Sequence, residues 1–196
     1  DPRNDACGSA VPVGPGLIGW NNSGATTDGP AACGNFGADI WYSYVAPCDG
    51  DLTVNTCGSN HDTTLAVYTG FCGSLTEVAC NDDDFNAHCT GSIRTSWLNV
   101  PTVRGTTYLI RLGGFNGVTG DGLFSLSQSF CPAPSNNNCA SAITVGQGDT
   151  NFSTIGASTD GPVENTLCNN ASDAQVDNDV WYRYTAQCAG TVRVST

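Results

Sequence analysis

Asp39-Ile-Trp-Tyr-Ser-Tyr-Val-Ala-Pro-Cys-Asp-Gly-Asp-Leu-Thr-Val-Asn-Thr56 decides the fold, because it occurs twice. It returns as Asp179-Val-Trp-Tyr-Arg-Tyr-Thr-Ala-Gln-Cys-Ala-Gly-Thr-Val-Arg-Val-Ser-Thr196, with nine of eighteen positions identical. In the first copy Ile40, Tyr42 and Tyr44 alternate with Trp41, Ser43 and Val45, the period-2 pattern of a strand. Upstream, Ala25-Thr-Thr-Asp-Gly-Pro30 matches Ala157-Ser-Thr-Asp-Gly-Pro162, and Asn4-Asp-Ala-Cys-Gly-Ser-Ala10 matches Asn136-Asn-Asn-Cys-Ala-Ser-Ala142. The offset is 132 residues for these two blocks and 140 for the Trp-Tyr block. The difference is absorbed by a loop insertion around Asn165 to Asn178. Self-similarity of this kind predicts tandem units. Residues 1–130 read as one complete repeat and residues 131–196 as the N-terminal half of a second.

The rest of the first repeat has the same character. Segments 40–46, 51–56, 64–69, 76–80, 93–100, 107–112 and 123–130 are rich in Val, Ile, Thr, Tyr and Trp and are bounded by Gly, Asn, Asp and Pro. Tyr108, Ile110 and Leu112 alternate with Leu109 and Arg111. No 3.6-residue apolar stripe is present. Together these predict an all-β chain of tandem antiparallel β-sandwiches, jelly-roll-like, with Asp49-Gly50 as a tight hairpin turn. A half-sandwich leaves its apolar face and strand edges unpaired. The second repeat is therefore expected to be completed by a continuing chain or by strands of a neighbouring subunit.

Composition narrows the function. The chain has 196 residues, eleven Cys, 24 Gly and no Lys, and its net charge is −12 although only 12% of residues are charged. Such a polyanion has no electrostatic footprint for nucleic acid and is repelled by anionic lipid. No apolar run reaches the ~18 residues of a membrane span. Eleven Cys without metal-finger spacing point to disulfides and an extracellular or cell-surface location. Without Lys, a Lys–Asn isopeptide staple is impossible, so cystines are the available cross-links. Cys72 and Cys80 flank a short turn, so a local Cys72–Cys80 bridge is expected. Cys139 and Cys168 recur in the positions of Cys7 and Cys33, which favours Cys7–Cys33 and Cys139–Cys168. An extended strand over 51–56 would carry Cys57 roughly 17 Å from the Asp49-Gly50 turn, too far to bond Cys48. That leaves Cys57–Cys89 and Cys48–Cys131, with Cys188 seeking a partner outside this segment.

Asn81-Asp-Asp-Asp84 follows one strand end, and Asn60-His-Asp62 precedes another. Asp62, Asn81, Asp82 and Asp83 would form either a calcium site, since hard cations neutralise crowded carboxylates, or a solvated acidic turn. Asp62-Thr-Thr-Leu-Ala-Val-Tyr68 and Val78-Ala-Cys-Asn-Asp-Asp83 resemble the bacterial pre-peptidase C-terminal β-sandwich modules. Tyr108-Leu-Ile-Arg-Leu-Gly-Gly114 with Leu123-Phe-Ser-Leu126 resembles their closing strands. The Asp-Val-Trp-Tyr-x-Tyr block is similar to tandem, cysteine-containing versions in large secreted and surface proteins. This resemblance implies a structural calcium ion at the Asp-x-x-Leu and Asn-Asp-Asp positions.

No Gly-x-Ser-x-Gly, His-Glu-x-x-His or Walker motif occurs, and His61 and His88 are the only imidazoles. The chain reads as a non-enzyme. Trp41 and Trp181 read as core residues, and Trp20 as the candidate exposed aromatic. Asn21, Asn151 and Asn170 head Asn-x-Ser sequons, candidate glycosylation sites. The expected function is a non-catalytic extracellular structural protein. It would be a repeat building block of a surface fibre, filament or layer, self-associating with identical subunits or adjacent repeats. The alternative is a carbohydrate- or matrix-binding accessory module of a secreted enzyme, with glycans as partners.

Overall fold

A computed structural model describes residues 2–92, 94–129, 131–161 and 177–196. The chain divides into two compact units, Asp1–Cys131 and Pro132–Thr196. Unit one contains β1 (Val11–Pro12), β2 (Gly16–Asn21), β3 (Phe36–Val45), β4 (Gly50–Asn55), β5 (Thr63–Phe71), β6 (Ser74–Asn81), β7 (Trp97–Thr102), β8 (Thr107–Phe115) and β9 (Asp121–Ser129). They form a five-stranded sheet in the order β1-β3-β8-β5-β6 and a four-stranded sheet in the order β2-β9-β4-β7. Every pairing is antiparallel except β1 with β3.

The core lies where alternation placed it. Ile40, Tyr42 and Tyr44, Leu65 and Val67, and Tyr108, Ile110 and Leu112 meet Leu52, Val54, Leu98, Val100, Phe124 and Leu126. Burying each large apolar side chain contributes about 1.5–3 kcal/mol. The five-stranded sheet is also covered on its other face. There Trp41, Ala66, Tyr68 and Leu109 pack with Cys7 and half-buried Phe36 and Leu75. This double coverage explains why β3, β5 and β8 are nearly continuous buried runs.

Three expectations are corrected. The Asp49-Gly50 turn does not close a hairpin, because β3 and β4 lie in different sheets and the turn carries the chain across the sandwich. Trp20 is not an exposed aromatic: it lies on β2, is 5% exposed and joins the main core. Its Gly-Trp-Asn-Asn context reads as a turn, yet Gly16–Asn21 pairs with β9 over its whole length. The cystines also differ. Cys48 pairs with Cys131 and Cys57 with Cys89, but Cys7 joins Cys72 and Cys33 joins Cys80. Cys72 sits at the tip of the β5–β6 hairpin and Cys80 far down β6. About 20 Å of extended chain at ~3.3 Å per residue separates them, well beyond disulfide reach. The same reasoning that separates Cys48 from Cys57 therefore separates Cys72 from Cys80.

Unit two contains β10 (Ile143–Val145) and β11 (Tyr182–Tyr184), paired in parallel. This reproduces β1 against β3: Val11 faces Tyr42, and Ile143 faces Tyr182. Cys139 and Cys188 are exposed thiols. The expected Cys139–Cys168 bridge falls on a residue that the structure does not describe. Cys168, Asn170 and most of the 165–178 insertion lie outside the described residues.

Candidate functional site

Two constellations stand out, one acidic and one repeated. The first sits where β5 begins and β6 ends. Asp62, Asp82 and Asp83 bring carboxylate oxygens within 4.8 Å of one another, all half-buried. The adjoining backbone is pinned. Phe115 N–H donates to the Asp62 carbonyl at 3.1 Å, and Ser96 Oγ donates to the Asp82 carbonyl at 3.1 Å. Gly34, in the left-handed region at φ +63°, lies so close to the Asp82 carboxylate that a Cβ there would stand 2.8 Å from it. Asp82 Oδ1 is buried without a hydrogen-bond partner. Burial pushes the Asp62 carboxyl above its ordinary range, and Asp83 pushes it further. Asp82 is raised by burial and then by Asp83 and Asp62. Three crowded carboxylates with one orphaned oxygen form part of the oxygen set a calcium ion takes.

Asn81, the fourth residue expected at this site, adjoins Asp82 and is tied into the loop. Its Oδ1 accepts from Trp97 N–H at 3.0 Å and its Nδ2 donates to the Asp83 carbonyl at 3.1 Å, so it braces the loop. Asp84 is turned away to His88 Nδ1 at 2.8 Å and to Cys89 N–H. Burial pushes its carboxyl up, but the His88 and Cys89 hydrogen bonds outweigh that and hold it below the usual range. His88 stacks on Trp97 at 3.9 Å, and His61 tilts against Trp20 at 5.1 Å. Burial pushes His61 down, so it stays neutral to lower pH. His88 thus ties Asp84 to the Trp97 ring, while His61 Nδ1 lies 3.1 Å from Asn60 Oδ1 and its Nε2 is buried without a partner. Of the sequon residues, Asn21 is exposed with its amide bonded to Asp121 at 2.6 Å, and Asn151 is exposed.

The second constellation escaped the sequence reading. At the start of β3 a bulge puts Ala38 at φ +50° and turns Asp39 inward, fully buried. Asp39 pairs with Arg111 of β8, itself 1% exposed. Arg111 also donates to the Pro30 carbonyl at 2.7 Å, and its guanidinium lies 4.2 Å over the Phe36 ring and 5.6 Å from Trp41. A Cβ on Gly29 would stand 2.3 Å from the guanidinium carbon, so only glycine leaves room for it. Trp41 Nε1 donates to Asp28 at 2.6 Å, and Asp28 also accepts Cys7 N–H at 2.9 Å. The available signal was an arginine inside the apolar run Tyr108–Leu112, which demands a buried anion.

Unit two repeats the tryptophan, asparagine and aspartate bonds of this cradle. Trp181 Nε1 donates to Asp160 at 2.6 Å, and Cys139 N–H donates to Asp160 at 3.3 Å. Asn136 and Trp181 exchange backbone and side-chain bonds as Asn4 and Trp41 do. The bulge recurs at Asn178, φ +52°. Asp179 accepts from the backbone of Asp160 and Gly161 at 3.0 and 2.8 Å. Among the described residues, no cationic side chain pairs with it.

These features define a disulfide-stapled β-sandwich module with a repeated Asp–Trp cradle. The chain belongs to the T9SS-associated galactose-binding-domain-like family, whose model matches residues 3–116 and 135–196. No curated protein matches it. Among solved structures, the pre-peptidase C-terminal domain of a collagenase from Bacillus anthracis is similar at 12% identity and TM-score 0.40, covering 61% of this chain and 94% of that one. A periplasmic inhibitor of g-type lysozyme from Aeromonas hydrophila is similar at 15% identity and TM-score 0.38, covering 61% and 96%. The family and the cystines set an extracellular or envelope location. No helix among the described residues is long and apolar enough to cross a membrane.

Proposed function

We propose that this chain is a non-catalytic structural building block of a surface fibre or layer, in which tandem cystine-stapled sandwiches associate with copies of themselves or with adjacent repeats. The observation that carries this reading is the recurrence of one hydrogen-bonded cradle in both units, Asp28–Trp41 in the first and Asp160–Trp181 in the second. In this reading Asp62, Asp82 and Asp83 hold a structural calcium ion that relieves their mutual repulsion. Electron microscopy of the native particle tests the assembly. Filaments or layers are expected, and a dispersed monomer at all concentrations contradicts it. Chelation tests the ion: the melting temperature should fall in EDTA and recover with added calcium. An unchanged melting curve removes the ion.

The family description favours a second reading, a carbohydrate- or matrix-binding accessory module. Saturable binding on a glycan array, together with a monomeric native particle, would select it over the first.

A further inference from the structure

The sheet edges of unit one are not alike. Among the described residues its two sheets end in β1 and β6 and in β2 and β7. An exposed edge invites another strand unless it is short, charged, interrupted by proline or bulged. β1 is two residues long, β6 carries exposed Glu77 and β7 carries exposed Pro101. β2 has none of these devices. Gly16-Leu-Ile-Gly-Trp-Asn21 is uncharged in a chain of net charge −12, and all six residues pair with β9 without a register shift. Asn22 N–H donates to the Gly120 carbonyl at 3.4 Å, so by the alternation of an antiparallel ladder the Leu17, Gly19 and Asn21 amides point away from β9. Leu17 is 67% exposed, and Leu123, opposite Gly19 in the ladder, is 38% exposed. A Cβ on Gly19 would meet nothing within 4 Å, so a gap lies beside Leu123. The internal repeat shows that this composition is a choice of the first unit: the counterparts of Leu17 and Gly19 are Asp149 and Asn151.

We propose that β2 is a self-association edge, which pairs antiparallel with β2 of a second copy of this chain about a two-fold axis at Ile18. In that register Ile18 faces Ile18, and Leu17 of each copy lies opposite Gly19 of the other, over the gap beside Leu123. Residues directly opposite in an antiparallel pair share a face, and here both leucines take the outer one. The outward amides and carbonyls of Leu17 and Gly19 then bond each other across the axis. A second copy is the occupant because the match is self-complementary, as a two-fold contact requires: the same six residues supply the leucine, the gap and the free amides. With no charge on either strand, the contact itself adds no repulsion between two polyanions. This names the contact surface in the building-block reading and rests on that reading for its biological meaning. The pairing itself is measured independently of particle shape.

The test is sedimentation velocity of the full 196-residue chain over a concentration series, with free thiols alkylated so that no intermolecular cystine forms. A monomer–dimer equilibrium is expected. Leu17→Asp, the residue of the second repeat, enters the contact twice and should weaken dimerisation roughly hundredfold or more. Gly19→Asn fills the gap and should weaken it roughly tenfold. Both positions face solvent, so the melting temperature of the dilute chain should not move, which separates lost pairing from lost folding. Hydrogen exchange gives the second readout: the Leu17 and Gly19 amides should be protected in the dimer and lose that protection on dilution. A chain that stays monomeric at every concentration overturns the proposal. So does a dimer that Leu17→Asp leaves intact, or amide protection that dilution does not change, the mark of an edge covered within its own chain. Dimers that never build filaments or layers would uphold the β2 contact and overturn only the building-block reading.

Discussion

The two units carry the same block in opposite circumstances. Trp41 N–H and Trp181 N–H each donate to an asparagine carbonyl at 2.8 Å, and each indole donates to an aspartate at 2.6 Å. Yet Trp41 is fully buried and Trp181 is half-exposed, Tyr44 is 2% exposed and Tyr184 36%. The local frame is therefore a property of the block itself. Asx-type bonds, the left-handed bulge residue and the short parallel pair need nothing from residues 57–131. Burial, the ion pair and the cystines come from the second half of a repeat. The frame specifies geometry, and the second half supplies most of the stability, because buried apolar area outweighs a handful of partly exposed hydrogen bonds.

The largest expected effect that sharpens this contrast comes from reduction. Each of the four cystines contributes about 2–4 kcal/mol by restricting the unfolded chain, and together they rival the stability of a typical domain. Unit one should lose its cooperative melting transition in reductant, with near-ultraviolet dichroism as the readout. Survival of that transition would move the stability back to the core alone. Next is Arg111→Ala, which leaves Asp39 buried and unpaired. It should cost about 3–5 kcal/mol in urea unfolding, whereas the paired change Arg111→Met with Asp39→Asn should recover much of that. A loss near zero would mean that water reaches Asp39.

Third is a matched substitution at equivalent tryptophans. Trp41→Ala should destabilise unit one by about 3–5 kcal/mol. Trp181→Ala should cost roughly 1 kcal/mol or less in the chain alone, because its ring retains solvent. Equal costs would break the comparison. The smallest effect is with pH. Burial and mutual repulsion raise the folded-state values of Asp62 and Asp82 above 3.8. Their ionised forms therefore disfavour the fold, and in chelator this contribution to stability should increase as pH falls through those raised values toward 3.8. Asp84 has the opposite sign: its folded value is depressed, so its contribution is present above 3.8 and is lost as pH falls through the depressed value. Calcium should flatten the first trend and leave the second. Identical pH profiles with and without calcium would remove the ion from Asp62, Asp82 and Asp83.

Much of this was legible in the chain. Alternation in Ile40–Tyr44 and Tyr108–Leu112 places the inner face, and the two Trp-Tyr blocks reveal the tandem organisation. Period 2, however, states which face a residue takes and not which sheet a strand joins. Asp49-Gly50 consequently looks the same as a hairpin and as a crossing between sheets. Trp20 was misplaced because its Gly and Asn neighbours mimic a turn, while β9 supplies the pairing from one hundred residues away. The Cys7–Cys33 expectation failed because recurrence shows that two cysteines are used together without showing that they touch. Arg111 was visible as a lone charge among apolar residues, but its partner Asp39 heads a strand and reads as a boundary.

Native-state hydrogen exchange at the backbone amides of Trp41 and Trp181 tests the central claim most directly, since both make the same bond at the same length. The account predicts that Trp41 exchanges only on global unfolding of unit one, while Trp181 in this 196-residue chain exchanges faster by orders of magnitude. Equal protection of the two amides in the chain alone would contradict it.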